Sequence, residues 1–171
     1  MEFTHLHVHT EYSLLDGSNK IKEYVARVKE LGMDSAAITD HGVMYGVIDF
    51  YRAARAEGIN PILGCEVYVA PGSRFDREAG SGEDRYYHLV LLAENNQGYA
   101  NLMKIVSKGF TEGFYYKPRV DLAVLKEYHE GIIALSACLA GEVARYLQRG
   151  SRKAPVLYGT FGKIILISLI L

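Results

Sequence analysis

The sequence has few of the features that define several large protein classes. Only two cysteines occur in 171 residues, Cys65 and Cys138, which are too few for a disulfide scaffold and typical of a reducing compartment. The N-terminus shows no basic segment followed by an apolar run, as a signal peptide would. The apolar run from Ile164 to Leu171 is far shorter than the ~20 residues that span a bilayer. We therefore expect a soluble, cytoplasmic chain.

An excess of charge is missing as well. The chain has 19 Lys and Arg against 20 Asp and Glu, for a net charge of −1, which argues against binding of nucleic acid by bulk electrostatics. A phosphate substrate would need bound cations and a few local Arg or Lys residues. Glycine-rich phosphate loops of the P-loop or Rossmann type are absent. No Gly-x-Ser-x-Gly motif surrounds Ser136, so a serine nucleophile has little support.

What the sequence does contain is an alternation of strand and helix patterns in one domain-sized chain. Strands are predicted over residues 5–10, 35–39, 61–70, 87–93 and 132–136, and helices over 19–31, 45–57, 95–110, 121–128 and 139–147. This order predicts an α/β fold with a parallel sheet, either a barrel or an open doubly wound sheet. The strands at 61–70 and 87–93 could instead pair antiparallel, which would place Glu66 and His88 nearly opposite each other.

Two further expectations concern local structure. The second helix is expected to turn Val47, Ile48, Tyr51 and Ala54 inward, because these residues recur at helical spacing. Residues 114–119, Phe-Tyr-Tyr-Lys-Pro-Arg, are expected to form an aromatic, basic loop. Within that loop the predicted phosphate or nucleic-acid contacts are Tyr116, Lys117 and Arg119.

Alternating histidines near the N-terminus carry the strongest chemical signal. In an extended strand alternate side chains share a face, about 7 Å apart, so His7 and His9 can converge on one ion. His5 would lie one strand step deeper and support the site rather than bind. The alternative is a strand whose histidines are merely exposed, and a metal site is the better explanation of three histidines on one face.

Other metal-ligating side chains fall where functional groups of α/β folds collect. His41 and Cys138 follow predicted strands, and a carboxylate such as Glu66 inside an apolar strand needs a partner. Singly, His41 could cap a helix, Asp16 could be a turn residue and Cys138 a small buried apolar residue. Together they predict a site for zinc, manganese or iron, in which paired ions would hydrolyse a phosphate ester. The predicted ligands are His7, His9, Asp16, His41, Glu66, His88 and Cys138, with Glu66 and His88 as the catalytic pair.

These residues resemble the successive motifs of the PHP (polymerase and histidinol phosphatase) family. The matching segments are His7-Val8-His9, Asp16, Thr39-Asp40-His41-Gly42 and Gly64-Cys65-Glu66. Three narrower segments, at residues 12–17, 114–119 and 135–142, resemble the N-terminal PHP domains of bacterial DNA polymerase III alpha subunits. The resemblance runs from about residue 3 to about residue 150.

The resemblance implies a distorted (β/α)7, TIM-like barrel with up to three divalent ions, Zn, Mn or Mg. His7 and His9 would hold one ion with Glu66, His88 and Cys138 would hold a second with Glu66, and Asp16 and His41 would bind a third. It also implies a phosphoesterase or 3′–5′ exonuclease site inside a DNA-directed DNA polymerase, a nucleotidyltransferase. The implied partners are DNA, a proofreading exonuclease and a sliding clamp.

Two alternatives to this interpretation stay open. One is a free-standing PHP phosphatase that acts on a small phosphomonoester such as histidinol phosphate. The other is a non-catalytic module that docks a proofreading partner. Whether these 171 residues are active by themselves is also left open by the resemblance.

The sequence departs from the family pattern in its last part. The final Asp-x-His ligand motif does not occur after Cys138, and the resemblance fades after Gly150. We expect residues 1–150 to form an incomplete, C-terminally truncated PHP domain without a polymerase palm, holding fewer than three ions. We expect residues 151–171 to be a divergent tail, with the segment 164–171 either prone to aggregation or serving as a further barrel strand.

Overall fold

The structure is a computed structural model that describes residues 3–78 and 85–150 and the backbone of Ile164 and Ile165. Helices and strands alternate for most of that length. In chain order they are α1 (Ile21–Glu30), β1 (Ser35–Ile38), α2 (Val47–Ala56), β2 (Asn60–Val69), β3 (Tyr87–Ala93), α3 (Asn96–Thr111), β4 (Phe114–Tyr115), β5 (Lys117–Val120), α4 (Leu122–Glu127), β6 (Ile132–Leu135), α5 (Glu142–Gln148) and β7 (Ile164–Ile165). Across these described residues, no helix combines the length and apolarity needed to cross a membrane.

The strands form one mixed sheet around the long strand β2. β1 runs parallel to the first half of β2, and β5 runs parallel to its end. On the other edge β3 pairs antiparallel with β2 and β6 pairs antiparallel with β3, while β7 is parallel to β6. The prediction of an α/β fold is confirmed, and so is the antiparallel alternative for β2 and β3. A wholly parallel sheet is wrong.

The two faces of β2 serve different purposes because side chains alternate along a strand. Cys65, Val67 and Val69 are buried in a core that includes α3 and α4. A second core packs α1 and α2 against β1. Glu66 and Tyr68 point to the opposite face of β2. Since Tyr68 pairs with His88 across the β2–β3 ladder, His88 lies on this face too.

The segment from His5 to Thr10 is not a strand, contrary to the prediction. The described residues give it only an isolated bridge between Thr10 and Asn19. Its position is set by Val8, whose N–H donates to Thr39 Oγ1 (2.8 Å) and whose carbonyl accepts from Thr39 N–H (2.9 Å). The segment therefore runs past the end of β1 with too few backbone bonds to form a ladder.

Other boundaries also differ from the sequence-based expectations. In α2 the inward residues are Val47, Phe50 and Ala54, and this face turns Ile48 (50% exposed) and Tyr51 (45% exposed) outward. Residues 114–119 lie in the tight hairpin β4–β5 rather than in a loop.

The last helix starts later than expected. α5 begins at Glu142 rather than near Leu139, because a turn with Gly141 N–H bonded to the Cys138 carbonyl (2.8 Å) precedes it. Of the predicted tail, only the Ile164–Ile165 backbone is described, and it pairs with β6. The rest of that prediction, at residues 151–163 and 166–171, lies outside the described residues.

Candidate metal centre

Glu66 is the central residue of the site, and the backbone of two elements fixes its place. It lies in β2 and is fully buried. Its N–H donates to the Asp40 carbonyl (3.0 Å), and its carbonyl accepts from Gly42 N–H (2.8 Å). The loop that follows β1 therefore continues along the edge of β2, and His41 is held beside the Glu66 carboxylate.

Four imidazoles surround that carboxylate. Oε1 of Glu66 lies 2.7 Å from Nδ1 of His41 and 2.7 Å from Nδ1 of His88. Oε2 contacts Nε2 of His7 and lies 3.8 Å from Nε2 of His9. One oxygen thus faces the first motif of the chain and the other faces two later motifs.

These short distances include approaches that are not hydrogen bonds. Glu66 Oε1 and His41 Nδ1 are buried without a hydrogen-bond partner in the described structure, although they lie 2.7 Å apart. Buried polar atoms normally find partners. Nitrogen and oxygen donors that crowd together without sharing a proton are arranged as they would be around a shared cation, so the donor set fits a divalent metal.

Six of the seven predicted ligands fall into three overlapping groups with ligand atoms within 4.8 Å of one another: His7, His9 and Glu66; His9, Asp16 and His41; His41, Glu66 and His88. Cys138 lies just outside these groups, with Sγ 3.5 Å from His88 Nδ1. The structure thus brings the predicted residues together. The role of each residue stays a prediction.

The electrostatics of the cluster favour an ionised carboxylate. Burial by itself would raise the pKa of Glu66, but contacts with His41, His7 and His88 hold that pKa well below its usual range. The hydrogen bond from His41 likewise lowers the pKa of Asp16. Glu66 therefore carries its charge at neutral pH, which suits it to hold cations rather than to shuttle protons.

The histidines differ among themselves. Burial, followed by the nearby His41, lowers the pKa of His9, which favours the neutral imidazole that a metal requires. Burial also opposes the charge of His88, yet Cys138 and Glu66 raise its pKa to about 9.

Asp40 organises the site, although the sequence placed it only in a matching motif and predicted no role for it. Its buried carboxylate accepts hydrogen bonds from Thr10 N–H (2.6 Å), Thr10 Oγ1 (2.7 Å) and Ser13 Oγ (2.7 Å). Ser13 Oγ in turn accepts from His41 N–H (3.1 Å). These bonds tie the loop that carries Asp16 to the loop that carries His41. The available signals were its place in the Thr39-Asp40-His41-Gly42 motif and its position directly before His41.

An aromatic wall closes one side of the cluster. The Tyr68 ring is stacked at 6.4 Å from the His41 ring and lies edge-on at 5.3 Å from the His88 ring. Gly42 makes this approach possible, since its φ is +67° and an added Cβ would lie 2.7 Å from the Tyr68 ring. Close packing explains why a glycine follows His41.

The remaining predicted residues are more scattered. Arg119 is fully buried, and its guanidinium donates to the carbonyls of Gly113, Arg74 and Asp76. This is a structural position beneath the surface. Lys117 and Tyr116 are exposed on the β4–β5 hairpin. His5 is exposed rather than deeper than its neighbours, because its segment is not a strand within a sheet.

Comparison with known proteins identifies the family. The family profile described as "PHP domain" matches residues 5–165. The chain belongs to the PHP family. Three relatives are DNA polymerase III subunits alpha. That of Treponema pallidum is 51% identical over 153 residues, 90% of this chain and 13% of the relative. That of Helicobacter pylori strain 26695 is 52% identical over 88% of this chain and 12% of the relative. That of Aquifex aeolicus is 48% identical over 85% of this chain and 13% of the relative.

This PHP domain thus spans roughly an eighth of the length of these relatives and matches their N-terminal region. A solved structure from Bifidobacterium adolescentis, described as a candidate metal-dependent phosphoesterase, aligns with a TM-score of 0.46 and 20% identity over 63% of this chain and 33% of that one.

Proposed function

We propose that this PHP domain is part of a replicative DNA polymerase and carries a divalent-metal phosphoesterase site that cleaves phosphodiester bonds at a DNA 3′ end. The observation that supports it most is the buried Glu66 carboxylate, with imidazoles crowded around both of its oxygens. A carboxylate in that position can bridge two cations. The identity of about half of the residues with alpha subunits of DNA polymerase III supports the polymerase context.

The proposed ligands are the three overlapping groups of the cluster, with Cys138 as a further donor beside His88. Up to three ions of Zn, Mn or Mg would be held, with Glu66 shared between two of them. When bound, such ions polarise the phosphate and lower the pKa of a bound water.

The chain's own residues contribute positioning and charge to this reaction. Glu66 stays ionised and does not act as the base, because its pKa is held well below the usual range. Asp40 fixes the loops of Asp16 and His41 relative to each other. Tyr68 excludes water from the flank of His41 and His88. Glu66 and His88 are the proposed catalytic pair.

Several broader features belong to the same proposal. The mixed sheet would be part of a distorted (β/α)7 barrel, with the PHP portion ending near Gly150 and a divergent tail after it. DNA would be the partner through the polymerase, together with a proofreading exonuclease and a sliding clamp. Such a protein would work in the cytoplasm.

The test is metal affinity and hydrolysis in the wild-type chain and in Glu66→Gln, which keeps the side-chain size but removes the bridging charge. We expect Glu66→Gln to bind the metal about tenfold more weakly or worse. It should also lose hydrolysis of a 3′-labelled oligonucleotide and of bis(p-nitrophenyl) phosphate. Glu112→Gln is the matched control, since Glu112 also has cationic partners, Arg74 and Lys108, but lies outside the cluster.

The outcomes separate the proposal from its alternatives. Equal metal affinity in wild type and Glu66→Gln would end the assignment of the site. Preference for a phosphomonoester over both diesters would favour the small-molecule phosphatase. Metal binding without any hydrolysis would favour the non-catalytic module.

A further inference from the structure

An aromatic and basic surface adjoins the metal cluster on the side of β3 and the β4–β5 hairpin. Its members are Arg85, Tyr86, Tyr116 and Lys117, together with the buried ring of Tyr68, and we call them the aromatic–basic strip. Tyr86 stacks at 6.0 Å from the His88 ring and meets Tyr68 edge-on at 4.9 Å. The strip therefore begins at a residue of the cluster itself.

Two cations lie over rings of the strip. Lys117 Nζ is 5.4 Å from the centre of the Tyr68 ring, and Arg85 Cζ is 4.6 Å from the centre of the Tyr116 ring. Because Arg85 and Tyr86 are consecutive, and Tyr116 and Lys117 are consecutive, each backbone supplies one ring and one charge. The result is an alternation of flat apolar faces and positive charges that leads away from the cluster.

The hairpin is held so that this alternation reaches solvent. Tyr116 is 65% exposed although its backbone has a φ of +60°, a conformation that non-glycine residues rarely adopt. A Cβ added at Gly42, next to His41, would lie 3.0 Å from Cγ of Pro118, so the hairpin packs directly against the cluster loop. Backbone strain at an exposed aromatic residue points to a functional position.

We infer that the aromatic–basic strip binds the unpaired nucleotides of a single-stranded nucleic acid whose end enters the metal cluster. This inference deepens the proposed function and relies on it for the cleavage step. Bases stack on Tyr faces and phosphates pair with Lys and Arg, which is how proteins hold single strands without reading sequence. Paired bases in a duplex cannot present their faces to Tyr86 and Tyr116. A small phosphomonoester bound at the metal cluster would not reach the rings of Tyr86 and Tyr116.

The charge of the chain sharpens this inference. With a net charge of −1, binding of a nucleic acid by bulk attraction is not available, and the local cations of the strip must supply the contacts. Two phosphate contacts predict a slope of about −1.4 for log K against log salt concentration on a single strand. Removal of Lys117 should reduce that slope by about 0.7.

The experiment is fluorescence anisotropy of a labelled oligothymidylate and of a hairpin duplex of equal length, with the whole chain in EDTA at low salt. We expect the wild type to prefer the single strand. Tyr116→Ala and Lys117→Ala should each weaken single-strand binding about fivefold or more. Tyr86→Phe keeps the ring and should bind like wild type, while Tyr86→Ala should not, provided that both melt at similar temperatures.

The matched control is a second lysine–tyrosine pair with nearly the same distance from the ammonium to the ring. Lys104 Nζ lies 5.3 Å from the centre of the Tyr128 ring. Lys104→Ala and Tyr128→Ala should leave oligothymidylate binding unchanged. Losses in these controls as large as in Lys117→Ala, or equal affinity of the wild type for duplex and single strand, would overturn the inference.

The same protein separates this failure from failure of the proposed function. If the wild type hydrolyses bis(p-nitrophenyl) phosphate but shows no preference for the single strand, the phosphoesterase proposal is supported and single-strand binding by the aromatic–basic strip is refuted. If the wild type prefers the single strand but hydrolyses nothing with any divalent metal, binding by the strip is supported and the phosphoesterase proposal is refuted.

Discussion

Replacement of Asp40 provides the sharpest test of how the two halves of the site are joined. Its carboxylate is buried and accepts three hydrogen bonds, two from Thr10 and one from Ser13, at 2.6–2.7 Å. Asp40→Ala would leave the Thr10 N–H and both hydroxyls without their acceptor in a buried place. Asp40→Asn keeps the shape and one oxygen, and its amide can donate to Thr10 Oγ1.

The magnitudes follow from these contacts. A hydrogen bond to a charged group contributes about 1.5–3 kcal/mol, and a buried group left unpaired costs about 1–3 kcal/mol. Because the three bonds share one acceptor and are not additive, we expect Asp40→Ala to lower the free energy of unfolding by about 3–5 kcal/mol. Asp40→Asn should lose about 1–2 kcal/mol. The first loss is a large fraction of the roughly 5–15 kcal/mol that stabilises a typical domain.

The assay is urea denaturation of the whole chain followed by circular dichroism. Asp34→Asn is the matched control, because Asp34 precedes β1 as Asp40 follows it but is exposed, with Ser35 Oγ donating to it at 2.8 Å. The control should change the free energy of unfolding by less than about 0.5 kcal/mol. If Asp40→Ala costs no more than Asp34→Asn, the reasoning about this network is wrong.

Three other predictions concern the frame around the site. Gly98→Ala should lower the free energy of unfolding, measured in urea, by about 1–2 kcal/mol. The added Cβ would lie 1.8 Å from the Gly131 carbonyl oxygen, and this clash outweighs the better helix propensity of alanine. A gain in stability would contradict the prediction. Arg119→Lys should cost about 1–3 kcal/mol by the same assay, because lysine cannot span three carbonyls, and no loss would refute its structural role. Asp121 is buried, which raises its pKa, but hydrogen bonds from the backbone N–H groups of Arg74 and Val124 and from the Arg74 guanidinium lower the pKa overall. The stability that it contributes is complete above its unfolded pKa of about 3.9 and disappears as the pH falls through the lower folded value. Asp121→Asn should therefore flatten the loss of stability below about pH 4, and an unchanged profile would contradict this.

Much of the frame could be predicted from local signals. The helices predicted from residues 95 and 121 begin where Asn95 and Asp121 cap α3 and α4, with side chains that accept from Gly98 N–H and Val124 N–H. The span of β3 agrees with its prediction at both ends. Such elements are predictable because a cap or a period of two is a property of the chain over a few residues.

The failures lie where distant contacts decide. His5 to Thr10 alternates like a strand, yet its contact with the end of β1 is made by Val8, which bonds Thr39 just beyond that strand. The orientation of β3 relative to β2 was ambiguous, because the apolar pattern of residues 61–70 and 87–93 predicts strands but not whether they pair parallel or antiparallel. The burial of Arg119 was invisible, since nothing near it in sequence indicates that the carbonyls of Arg74 and Asp76 would cover it.

The position of Glu66 shows why the candidate ligands were nonetheless found. A strand that is apolar on both sides of one carboxylate has no local reason for that charge, and burial without partners would cost several kcal/mol. The partners had to come from elsewhere in the chain and had to be donors. His7, His41 and His88 come from three separate segments and all contact this carboxylate. The spacing of these histidines in the sequence does not predict their distances from Glu66. The cost of burying the Glu66 carboxylate nevertheless requires that donor groups surround it. The cluster is therefore a consequence of where β2 places one acidic residue.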